Sequence, residues 1–191
     1  MRMLQLLLHR CRCGIAVAAA LVLLAGGPAM GQPVASADAI KAAYLYKLRH
    51  YVEWPGKRLA GNEAMAVIGV VGAEEIAENL LQMPGASERQ GGRVQVRRLR
   101  LNDALDGIEL LFVGADYWPR AGPMVEAAAK RGIVVVSESE GALQGGSVIN
   151  FRYVDERMRF EISLDAAERS GLKLSSQLLS LALSVSREKR K

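Results

Sequence analysis

The sequence predicts an α/β fold: a single compact domain with a mostly parallel sheet flanked by helices, closed by a C-terminal antiparallel hairpin and a terminal helix. Three observations carry that expectation. The runs Met65 to Val71, Ile108 to Val113 and Ile133 to Val136 are apolar without interruption and rich in β-branched residues, as strands buried on both faces require. Helical segments separate them, and strand–helix–strand alternation implies parallel pairing with helices on the sheet faces. The pattern then changes to two short strands, Val148 to Tyr153 and Met158 to Leu164, split by Asp155-Glu156-Arg157 in the manner of a hairpin.

The elements follow in order. Residues 1–31 read as a secretory signal: Arg2, Arg10 and Arg12 precede the uncharged apolar stretch Ile15 to Ala25, and small residues follow. Cleavage after Gly31 or as late as Ala37 fits equally. The apolar stretch is about half the ~20 residues needed to span a bilayer. A first helix, capped by Ser36 or Asp38, carries Ile40, Ala43, Tyr44, Leu48, Tyr51 and Val52 at helical spacing until Trp54-Pro55 stops it. Glu74, Glu75 and Glu78 open a second helix that Pro84-Gly85 closes, and Gly91-Gly92 lead into a strand from Arg93 to Leu99. Trp118-Pro119 precede a helix over Met124 to Arg131, which Gly132 terminates. Asp165 with Glu168 has the form of a capping box for a short helix ended by Gly171. A last helix is expected to carry Leu174, Leu178, Leu179, Leu181, Leu183 and Val185 as an apolar stripe. The main domain thus runs over residues 38–186, and residues 187–191 form a basic, solvated tail.

Composition argues for binding rather than catalysis. Both cysteines, Cys11 and Cys13, lie in the leader, so the exported chain has no thiol and a single histidine, His50. Loss of residues 1–31 removes three arginines and no acid, which lowers the net charge from +5 to +2. About 160 residues remain, enough to bury a core without disulfides or metals. Zinc needs more nitrogen or sulfur ligands than the exported chain has. Neither a nucleophile elbow, a dinucleotide fingerprint nor a P-loop occurs, and no cofactor is implied. The small net charge and export argue against nucleic acid. Arg93, Arg97, Arg98 and Arg100, interleaved with Val94, Val96 and Leu99, read as an exposed strand face attractive to anionic lipid heads or an acidic partner. His50, at the end of the first helix, is expected to gain from the helix dipole when charged.

Four blocks carry a resemblance: IKAAYLYKLRHYVEWP (Ile40 to Pro55), IELLFVG (Ile108 to Gly114), GGSVINFRY (Gly145 to Tyr153) and MRFEISLDAAERSGLKLSSQLLSLA (Met158 to Ala182). Together they resemble the YfiR family of periplasmic regulators over nearly the whole exported chain. The resemblance implies an α/β domain in the periplasm that binds the periplasmic domain of an inner-membrane diguanylate cyclase. By holding the enzyme inactive, it lowers cyclic di-GMP and biofilm formation. It also implies a homodimer and an outer-membrane lipoprotein that competes for the same face. The family commonly has a cysteine where this chain has Ile108, so thiol-based redox control is excluded here.

The family's repressor surface, carried over by motif position, falls on Phe151 and Glu161, then on Ala167 and Leu172. By alternation Ile149, Phe151 and Tyr153 share one face, with Asn150 and Arg152 on the other; Phe160 and Ile162 share one face, with Arg159, Glu161 and Ser163 on the other. A rival expectation is a periplasmic small-molecule binding module. Its crevice would lie at the carboxyl ends of the parallel strands and be lined by Gly72, Gly114 and Ser137.

Overall fold

The computed structural model describes residues 36–54, 66–88 and 93–187. The leader, Pro55, Gly61-Asn62, Met65, Gly91-Gly92 and the tail beyond Arg187 lie outside these residues. The chain order is α1 (Ala37–Leu48), β1 (Val52–Glu53), β2 (Ala66–Val71), α2 (Glu74–Leu81), β3 (Ala86–Ser87), β4 (Val94–Leu99) and β5 (Leu110–Val113). A 3₁₀ turn at Trp118–Arg120 leads to α3 (Gly122–Lys130) and β6 (Val134–Ser137). The hairpin β7 (Ile149–Val154) and β8 (Arg157–Ser163) follows, then α4 (Leu164–Arg169), β9 (Lys173–Leu174), α5 (Ser176–Leu181) and β10 (Ser184–Ser186).

One mixed sheet organises this single α/β domain, in the order β10-β8-β7-β6-β5-β2-β4-β3. Strands β2 to β7 run parallel, β8 turns back antiparallel to β7, and β10 lies parallel to β8 at the edge. Strand β2 shows why the sheet needs cover on both sides: all six of its residues are apolar or glycine, and all are buried. Ile68 and Val70 join Leu45, Ile76, Leu80 and Phe112 in the core that α1 and α2 close. Val67 and Val71 face the other way, into a second core with Met124, Val125 and Ala128 of α3. β1 and β9 form a separate antiparallel pair.

Local chemistry sets the boundaries. Ser36 caps α1, its Oγ accepting from the Ala39 N–H at 3.1 Å. Asp155 and Glu156 both take left-handed φ angles, 49° and 57°, which gives a two-residue turn whose twist matches the strands it joins. Two expectations are corrected. The cap of α4 is Ser163 rather than Asp165: its Oγ accepts from the Ala166 N–H at 3.2 Å, which places Asp165 inside the first turn. The C-terminal helix is also much shorter than the apolar stripe implied. Ser175 caps α5, Ala182 is extended, and Leu183 N–H donates to the Phe160 carbonyl at 2.8 Å, drawing the chain onto the sheet as β10.

The sheet reverses its winding between β2 and β5. There Gly114 N–H donates to the Val71 carbonyl at 2.9 Å. A Cβ at Gly114 would lie 2.5 Å from the Gly72 carbonyl oxygen, a backbone atom that cannot swing aside. Gly114→Ala is therefore expected to destabilise the domain by about 1–3 kcal/mol. Gly122→Ala adds a methyl with nothing within 4 Å and is expected to change stability by less than about 1 kcal/mol. Urea denaturation of the two variants beside the wild type checks both.

Candidate docking site

The carboxyl ends of the parallel strands are engaged with the fold itself. The Tyr117 ring occupies the space a side chain at Gly72 would need, and Gly114 abuts Gly72. Ser137 Oγ donates to the Val113 carbonyl at 2.9 Å and accepts from the Ser139 N–H at 3.3 Å, and Ser147 Oγ donates to the Ile149 carbonyl at 2.7 Å. The three residues expected to line a solute crevice thus serve close packing and strand spacing.

A groove of about 230 Å³ lies instead at the root of the hairpin. The first turn of α1 supplies Ala37 and Lys41, the segment after β6 supplies Glu138, and the hairpin supplies Phe151, Arg152, Tyr153 and Met158. Phe151 and Met158 make the wall apolar, while Tyr153, at 63% exposure, stands free at the rim. Lys41 Nζ is held 2.8 Å from Asp38 Oδ1 and 2.5 Å from Glu138 Oε2. Burial works against its charge, but the hydrogen bonds to Asp38 and Glu138 outweigh that and raise its pKa above the ordinary lysine value. The groove therefore keeps a fixed cation between two carboxylates.

On the other face of the hairpin, Arg152 stands directly opposite Arg159, and both are exposed. Like charges in register repel, so the pair favours an anionic neighbour. Glu161 follows Arg159 on this face, opposite Asn150, half-buried and within 3.4 Å of Ser184 Oγ.

The four residues transferred from the resemblance do not form one surface. Phe151 is 2% exposed, Ala167 2% and Leu172 5%, all in the core closed by α1 and α2. Phe151 packs against Tyr44 and Phe112 with ring centroids 5.9 and 6.2 Å apart. Glu161 lies on the opposite face of the sheet. Alternation accounts for both facts: in an antiparallel pair, Phe151 faces Phe160 while Asn150 faces Glu161. Tyr153 also sits in the Phe151 register, yet it is exposed, while Met158 directly opposite it is buried. The meeting of Lys41 with Glu138 has no local sequence signal, since the two come from separate elements.

Two other expectations change. Arg98 does not offer its charge outward, because its guanidinium bonds Glu74, Glu78 and Glu88, and Arg97 Nη1 donates to the Asp106 carbonyl at 2.8 Å. Of the four arginines in the stretch, Arg98 is thus paired with acids of its own fold and Arg97 is tied to a carbonyl. His50 is exposed, and its pKa is lowered by desolvation and then by neighbouring Arg49, against the direction the helix dipole would give. Among the described residues no group of three or more His, Cys, Asp or Glu is placed to hold a metal ion, and no helix is long and apolar enough to cross a membrane.

The described residues define a mixed α/β domain with a mostly parallel sheet and a C-terminal antiparallel hairpin. Its sequence matches the YfiR/HmsC-like family model over residues 38–183, and the chain belongs to that family. Membership implies a periplasmic regulator of cyclic di-GMP signalling, in a family that is regulatory rather than catalytic. No curated protein matches the sequence. The fold is similar to the crystal structure of a conserved domain protein from Vibrio cholerae O1 biovar eltor, with a TM-score of 0.54 and 14% identity. That match covers 79% of this chain and 60% of the other, so the chain spans well under two thirds of that protein.

The Lys41 geometry gives a pH test. A folded-state pKa raised above the ordinary 10.5 means that the bridge's contribution is fully present below 10.5 and is lost as pH rises through the folded value. The difference in melting temperature between wild type and Lys41→Met is expected to stay constant from neutral pH to about 10 and to shrink above it. A difference that grows in alkali contradicts the bridge.

Proposed function

We propose that this protein is a periplasmic repressor that docks its hairpin on the periplasmic domain of an inner-membrane diguanylate cyclase and holds the enzyme inactive. The observation that carries this reading is the hairpin itself. It presents an exposed aromatic, Tyr153, with an adjoining groove on one face and the opposed cations Arg152 and Arg159 on the other, so a partner that embraces the hairpin meets both. Exposed aromatics and arginines are the side chains that most often anchor protein interfaces. Glu161 serves as a rim contact. Phe151, Ala167 and Leu172 act from beneath by fixing the surface above them. A second copy of the chain and a competing outer-membrane lipoprotein fit the same scheme, the lipoprotein releasing the cyclase by occupying the hairpin.

Repression of this kind is a population shift. The regulator acts only to the extent that it binds the inactive receptor more tightly than the active one. A difference of about 2.7 kcal/mol moves the ratio a hundredfold. A modest interface supplies that.

Deleting the gene is expected to raise intracellular cyclic di-GMP, and the wild-type gene to restore it. Tyr153→Asp and the double variant Arg152→Glu/Arg159→Glu should fold normally and fail to restore repression. Phe151→Leu, which keeps an apolar wall but removes a ring, should restore it only in part. An unchanged cyclic di-GMP level on deletion contradicts repression, and full rescue by both charged variants moves the docking surface off the hairpin.

A further inference from the structure

A second groove, of about 450 Å³, runs beside α3 and shares no residue with the one at the hairpin. Its size is that of a small-molecule site, about 300–1,000 Å³. The residues of α3 that border it, from Gly122 to Lys130, recur every three or four positions and so line one side of the helix over about 12 Å. The segment before β7 supplies Gln144 and Gly145, and α4 supplies Ala166 and Arg169. A side chain at Gly132, just past α3, would come within 3.3 Å of the Ser170 carbonyl oxygen, so α4 ends beside the C-terminal end of α3. Arg169 therefore stands at that end of the groove and Gly122 at the other.

The charges that border the groove cancel except at Arg169. Lys130 Nζ lies 2.7 Å from Glu126 Oε1, and Glu168, next to Arg169 in the chain, is bridged to Arg187. The Arg169 guanidinium is exposed and bonds no other described residue. One uncommitted guanidinium balances one negative charge, and its parallel N–H groups match the two oxygens of a carboxylate. Between the two ends the wall is apolar and carries no ring, being made of Val125, Ala129 and Ala166.

Gly122 is a residue that the fold itself does not call for. Gly145 has a packing reason, since a side chain there would come within 3.0 Å of the Trp118 ring. At Gly122 a side chain would meet nothing within 4 Å, and the backbone is not left-handed. Glycine in a helix is less favourable than alanine, so what this position supplies is open space at the end of the groove. We propose that the α3 groove binds a small aliphatic monocarboxylate, its carboxylate paired with Arg169 and its chain lying along Val125 and Ala129 toward Gly122. A phosphate dianion would leave one charge unbalanced, and an aromatic acid would find no ring to stack on. The proposal does not depend on the docking reading, and its test involves no cyclase, so either can fail alone.

The test is titration calorimetry of the purified exported protein with butanoate, hexanoate, octanoate and 1-octanol. Octanoate is expected to bind one per chain, with affinity rising up to about fourfold for each added methylene along the series. The neutral alcohol should bind about tenfold more weakly, for want of the charged hydrogen bonds. Arg169→Gln should weaken octanoate by the same factor and leave the alcohol unchanged. Its melting temperature should stay at the wild-type value, because the guanidinium has no partner in the fold. Gly122→Leu, which fills the end of the groove, should weaken both ligands. No binding of octanoate, equal binding of the alcohol, or indifference to Arg169→Gln overturns the proposal. So does acetate or inorganic phosphate binding as tightly as octanoate, which would leave a bare anion contact. Tetraalanine binding more tightly than octanoate would give the groove to a peptide terminus and overturn it too.

Discussion

Four aromatic rings join the parallel part of the sheet to its antiparallel end. Phe112 of β5 meets Phe151 of β7 at 6.2 Å, and Tyr44 of α1 meets both Phe151 and Phe160, at 5.9 and 5.8 Å. Phe112, Phe151 and Phe160 are buried, and each is worth about 1.5–3 kcal/mol in surface removed from water. Ring–ring geometry adds about 0.5–1.5 kcal/mol per pair. Helix α1 reaches over this junction through Tyr44, which meets rings on both strands of the hairpin. Besides that contact the hairpin is tied to the rest of the domain by the Phe112–Phe151 ring contact, the short β6–β7 pairing and the pairing of β8 with β10.

The same packing explains why the hairpin can serve as a docking element. Its root is rigid because Phe151 and Phe160 are locked under α1, so Tyr153, Arg152 and Arg159 are held in place without packing of their own. Pre-ordering of this kind spares a partner the entropy of arresting a loose loop. The groove beside it is fixed by the Lys41 bridges to Asp38 and Glu138, which pin the first turn of α1 to the end of β6.

Much of the fold was legible because the strongest signals were continuous. Buried parallel strands announce themselves as unbroken apolar runs: β2 and β5 fall inside the expected runs, with Met65 outside the described residues, and β6 runs one residue past its own, to Ser137. The last segment misled for a reason visible in the sequence. From Leu179 to Ser186, apolar and small residues alternate strictly, a period of two that a stripe of leucines at helical spacing obscured. The α4 cap was a contest between two local acceptors, and Ser163 won because it stands at the end of β8 with extended backbone angles. The family resemblance proved correct as to family. The side chains it singled out were less informative, since motif position does not reveal that Phe151, Ala167 and Leu172 point into the core. Tyr153 and the Arg152–Arg159 pair emerge only when strand register and the reach of α1 are known.

The central claim is that the hairpin is the surface by which this protein grips a membrane-bound cyclase. Hydrogen exchange of the purified protein, alone and with the periplasmic domain of an inner-membrane diguanylate cyclase from the same cell, tests it most directly. The account predicts slowed exchange from Arg152 to Arg159 and in the first turn of α1. Slowed exchange confined to α3 and its surroundings, or none at concentrations where the two proteins form a complex, would contradict it.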